Sequence, residues 1–139
     1  MERVEWSRTT CLPRGFHSAG EARRFVSATL CAHNLSHMLD PVMIAVSELA
    51  TNVILHARTD FTVTLIGLRD TLVLEVEDHV QDEVPGLTGV AAGRQVRAME
   101  AGTSGRGLEL VSLLSREWGV TAQSRGSKTV WASFPSRAA

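Results

Sequence analysis

The sequence predicts an α+β fold: a two-layer α/β sandwich whose mostly antiparallel sheet carries its helices on one face. Two observations predict it. Segments with a 3.6-residue apolar period open the chain, and two pairs of alternating, β-branched segments follow, each pair joined by a short turn and the pairs separated by one more helical segment. Helices, hairpin, helix and hairpin in that order give layers of this kind.

The first helix is "SAGEARRFVSATL". Ser18 and Glu21 stand in capping-box spacing, and Ala22, Phe25, Val26 and Leu30 share one face. The second is "DPVMIAVSELATNVILHA". It has Asp40 as N-cap, Pro41 at the first helical position and an apolar stripe through Val42, Ala45, Val46, Leu49 and Val53, and is expected to run to about Ala57. "FTVTLIGL" and "TLVLEVED", separated by "RD", read as an antiparallel hairpin. From His79 to Gly102 the chain holds Pro85, Gly86, Gly89, Gly93 and Gly102 with little periodicity, a pattern expected of a lid loop. "SGRGLELVSLLSR" resumes the helical period through Leu108, Val111 and Leu114, and "WGVTAQS" and "KTVWASF" pair around "RGS".

A chain of 139 residues, 44% hydrophobic and 21% charged, is expected to be one soluble domain over 1–139. Its formal net charge of −1 lacks the basic surplus that direct nucleic-acid or acidic-lipid binding needs. No sequence run approaches the roughly 20 apolar residues of a membrane span, and "MERVEWSRTTCLPRGF" lacks a signal peptide's apolar core, so a cytoplasmic location is expected. Cys11 and Cys31 fit no framework of paired spacings and read as thiols.

Three features carry chemistry. Glu48 and Asn52 are four apart on the second helix, with His56 a further turn along. A carboxylate and an amide oxygen so placed suit a general base beside a ligand for a hard cation, although a solvated helix edge has the same pattern. Asp78 ends "LVLEVED" in phase with Leu72, Leu74 and Val76, which aims a carboxylate inward, where it needs a donor. "GTSGRGLEL" sets Gly102, Gly105 and Gly107 at the opening of a helix, where free amides attract phosphate.

Other sites fit less well. The chain's one lysine, in "GSKT", does not complete a Walker A loop, and there is no kinase VAIK or HRD string. Cys31, His33 and His37 have no second cluster to complete a zinc tetrahedron, and no GxSxG elbow marks a serine hydrolase.

In order, "SELATNVILHA", Asp78 at a strand end, "GTSGRGLELV", W-G-V and "SKTVWASF" resemble the ATP-binding domain shared by histidine kinases, gyrase and Hsp90, the Bergerat fold. Within it the chain most resembles the anti-sigma factor serine/threonine kinases of compact actinobacterial type, from about Phe16 to Phe134. The resemblance implies ATP and Mg²⁺ held between helices and sheet. It implies Glu48 as general base, Asn52 as Mg²⁺ ligand and Asp78 as acceptor of the adenine amino group. Gly105 and Gly107, with Leu108 beside them, would lie at the phosphates, and Thr129 would be a hydroxyl near the adenine. Where the family usually has glycine two residues after the Asp, this chain has Val80.

The implied activity is transfer of the ATP γ-phosphate to a serine or threonine of a small anti-anti-sigma partner, together with possible sequestration of a sigma factor, in a homodimeric protein. The competing expectation is a nucleotide-responsive binding module without catalysis.

Overall fold

The computed structural model describes residues 3–80, 89–91, 105–122 and 126–137. Among these residues three helices, α1 (His17–Ala32), α2 (Leu39–Asn52) and α3 (Gly105–Leu114), accompany six strands: β1 (Trp6–Leu12), β2 (Phe61–Gly67), β3 (Thr71–Asp78), β4 (Gly89–Ala91), β5 (Glu117–Ala122) and β6 (Lys128–Pro135). The strands form one sheet in the order β1-β2-β3-β6-β5-β4, every neighbour antiparallel. This is the expected α+β sandwich.

Alternation along β2 and β3 places Phe61, Val63, Leu65, Leu72, Leu74 and Val76 on the covered face. Against them pack Ala22, Val26 and Leu30 of α1, Val42, Ala45, Val46 and Leu49 of α2, and Leu108 and Val111 of α3. Ser36–Ala57 is a 22-residue helical run of mean hydropathy 1.5, long and apolar enough to cross a membrane, which corrects the expectation that no segment is. Its buried apolar residues are those packed on the sheet, so the hydropathy belongs to a core helix.

The helix starts differ from expectation. α1 begins one residue before Ser18, and the Ser18 hydroxyl donates to the Pro13 carbonyl at 2.5 Å. Glu21 turns to Arg24. The capping box does not form, because both side chains have better-placed partners. A 3-10 turn at Ser36–Met38 leads into α2, so Asp40 and Pro41 lie inside its first turn rather than at its cap. Both still suit that turn: a carboxylate meets the positive helix end, and proline gives up only an N–H the helix does not use.

α2 also ends early as an α-helix. Val53–Ala57 is a π turn closed by the Arg58 N–H on the Val53 carbonyl at 2.8 Å, with Arg58 left-handed at φ 57°. The apolar period continued through the turn and concealed the change. β1 was not anticipated, since "WSRTTCL" is mostly exposed and lacks clean alternation; its register with β2, Trp6 to Gly67 through Leu12 to Phe61, makes it an edge strand. Of the expected lid over 79–102, residues 81–88 and 92–102 lie outside the described residues; Gly89–Ala91 pairs with β5.

Candidate nucleotide site

The covered face opens at one end, where β3 finishes, β6 begins, and the last turns of α2 meet the first turn of α3. A cleft of about 450 Å³, open mouth included, lies there. Leu49, Val53, Val76, Leu108 and Val130 give it apolar walls; Asn52, His56, Asp78 and Lys128 supply the polar groups.

Asp78 is only 2% exposed. The backbone N–H groups of Lys128 (3.1 Å) and Val80 (3.3 Å) both donate to Oδ1, so Oδ2 remains for a ligand. Burial raises the carboxyl above its ordinary range, and the two amides and the charges of Lys128 and His79 only partly oppose this. A buried acceptor between apolar walls suits an aromatic base that presents an amino group.

Gly107 brings α3 against α2. A Cβ there would stand 3.0 Å from Glu48 Oε2 and 3.4 and 3.5 Å from Asn52 Nδ2 and Oδ1. The missing side chain lets the first turn of α3 lie on the Glu48–Asn52 row. Gly105 is the first residue of that helix, so the amides of its opening turn, which no intrahelical carbonyl accepts, sit beside a carboxylate and an amide oxygen.

The structure therefore brings Glu48, Asn52, Asp78, Gly105, Gly107 and Leu108 to one end of the fold. Thr129 does not join them. It pairs with Glu77 in β3, and Glu77 faces away from the covered side that holds Val76 and Asp78. Strand register puts Lys128 in the inward position instead. Its alternation with Val130, Ala132 and Phe134 was the available signal, obscured because a lysine before a hydrophobic strand reads as a solvated end. His56 lines the cleft from the π turn, a local geometry that recurs at functional sites.

Among the described residues no cluster of three or more His, Cys, Asp or Glu side chains could hold a metal ion. A cation here would depend on Asn52 together with a ligand's own oxygens, the pattern Mg²⁺ follows with nucleotides. Cys11 and Cys31 are free and exposed.

No curated protein matches the sequence significantly. Residues 16–134, which contain every cleft-lining residue, match the family described as the histidine kinase-like ATPase domain. With an apolar cleft that holds a buried carboxylate, and a glycine-opened helix beside Glu48 and Asn52, the chain belongs to the histidine kinase-like ATPase domain family.

Proposed function

We propose that the protein is a regulatory serine/threonine kinase of the anti-sigma factor type, which transfers the ATP γ-phosphate to a small anti-anti-sigma partner. The observation that carries this reading is the approach of Gly107 to Glu48 and Asn52, which sets a carboxylate, a side-chain amide and a helix N-terminus around one point.

The residues of the cleft fit Mg²⁺-ATP. Asp78 Oδ2 accepts from the adenine amino group, and Leu49, Val53, Val76 and Val130 flank the ring. The opening amides of α3 would face phosphate oxygens, and Asn52 would help hold Mg²⁺, which would supply charge neutralisation when bound. Glu48 takes the proton from the partner's hydroxyl as its oxygen bonds to the γ-phosphorus and the bond to the β-phosphate oxygen breaks, releasing ADP. Positioning and electrostatics supply most of the rate.

The test is phosphate transfer from γ-labelled ATP, with Mg²⁺, to a purified small anti-anti-sigma domain. Labelled phosphoserine or phosphothreonine on the partner, lost with Glu48→Gln, is the expected result. Binding of nucleotide and partner with no transfer by the unaltered protein would replace the kinase reading with that of a nucleotide-responsive binding module.

A further inference from the structure

A second concavity lies on the surface away from Asp78. It is lined by Arg14, Gly15 and Phe16, from the loop entering α1, and by Ile54, Leu55 and Arg58, from the π turn and its cap, and encloses about 730 Å³ with its wide mouth. Phe16 is 79% exposed and Leu55 42%, so two bulky apolar side chains meet solvent within one groove. Isolated exposed apolar residues need no explanation, but a pair lining one concavity suits a contact surface.

The polar groups of this groove are of one sign. Arg14 and Arg58 flank it, and neither guanidinium forms an ion pair among the described residues. The nearest carboxylate in their hydrogen-bond network, Asp60, accepts from the Arg14 backbone N–H at 3.0 Å instead. Arg14 Nη1 donates to the Arg58 carbonyl at 3.3 Å, while the Arg58 N–H reaches Val53. These bonds hold a non-glycine residue in a left-handed conformation that few side chains adopt, and so fix where the Arg58 side chain leaves the turn.

We infer that this groove docks an acidic, apolar-centred segment of a partner protein. One bulky side chain of the segment rests on Phe16, Ile54 and Leu55, and carboxylates on either side of it meet Arg14 and Arg58. Charge complementarity selects this occupant. A basic segment meets two like charges, and a small free anion gains nothing from the apolar floor. The inference does not depend on catalysis in the cleft. It does tie the two sites together physically, because the π turn presents Ile54 and Leu55 to the groove, and Val53, His56 and Ala57 to the cleft.

The test uses the full chain and fluorescein-labelled ten-residue peptides: one with a central leucine–phenylalanine pair flanked by aspartate and glutamate, one with lysine flanks, and one acidic with a central alanine pair. Fluorescence anisotropy gives affinity, and amide shifts in two-dimensional NMR give location. The acidic apolar peptide should bind at least tenfold more tightly than either control and shift the amides of residues 14–16 and 54–58. Arg58→Glu should abolish that preference and favour the lysine peptide, and Phe16→Ser, at a side chain with no place in the core, should weaken binding by a similar factor. Arg14 also holds the Arg58 carbonyl, so reversal is tested at Arg58 and the fold of each variant checked by circular dichroism. Equal binding of acidic and basic peptides, shifts confined to other surfaces, or no binding at millimolar peptide would overturn the inference. So would a concentration-dependent dimer in sedimentation that Phe16→Ser dissolves, since the occupant would then be a second copy of the chain.

Discussion

Glu48 Oε2 lies 3.0 Å from the point where Gly107 would carry a Cβ, so the absence of one side chain decides how closely α2 and α3 approach beside the cleft. Gly107→Ala should separate stability from function. Alanine is the better helix residue by about 1 kcal/mol, so the melting temperature should hold or rise slightly. The methyl group pushes the carboxylate aside, and displacement on the order of 1 Å at a reacting group costs about 10²-fold in rate. Thermal melts beside single-turnover transfer check both halves; a variant with full activity would show that Glu48 is not held by this contact.

Asp78→Asn should also act in opposite directions on fold and ligand. Asn keeps an oxygen for the two backbone donors but carries no buried charge. Because the folded-state carboxyl is raised, the folded chain binds a proton more readily than the unfolded one, and stability falls as pH rises from the unfolded value toward the folded one. Above that window the full cost is present. At neutral pH the unliganded variant should therefore melt roughly 3 °C higher, what about 1 kcal/mol gives in a domain of this size, with the difference vanishing in acid. ATP affinity should fall at least tenfold, about 1.4 kcal/mol, by calorimetry. In the unaltered protein, acidification should weaken ATP binding at a pH above the ordinary aspartate range.

The strand register of β6 gives a paired prediction. Thr129→Val should leave nucleotide affinity unchanged, since its side chain lies beside Glu77 on the far face. Lys128→Ala keeps the backbone donor to Asp78 but removes the ammonium, and affinity should drop about fivefold, on the order of 1 kcal/mol. The reverse pattern would mean that the first strand residues shift when nucleotide binds.

Glu48→Gln and Asn52→Ala should fail differently although the side chains are neighbours. The first keeps size and hydrogen bonding without basicity, so Mg²⁺-ATP binding should stay near normal while transfer falls by roughly 10² or more. The second removes an oxygen ligand, so binding itself should weaken and lose its magnesium dependence. Titrations with and without Mg²⁺, read beside transfer, distinguish them.

Long periodic elements were legible in the sequence because their signals repeat. The stripe from Val42 to Val53, the alternation from Leu72 to Asp78, and the glycines ahead of Leu108 each led to the right layer and end of the fold. Single-residue decisions were not. Ser18 had a choice between an amide and the Pro13 carbonyl, and only the folded loop supplies the second. The extra residue that turns Val53–Ala57 into a π turn leaves no mark on the apolar period, and the resemblance that implies Thr129 near the adenine does not carry the one-position register that decides the face.

The sheet also carries its own optical labels. Trp6 lies over Gly67 and stacks on His33 with ring centroids 3.8 Å apart, Trp131 covers Gly119 on the face opposite the helices, and Trp118 is buried in the core. None of the chain's three tryptophans lines the nucleotide cleft. Intrinsic fluorescence will thus report the edge strand, the open face and the interior as three separate vantage points during unfolding. It will stay nearly silent while nucleotide enters, so binding must be followed by a label on the ligand.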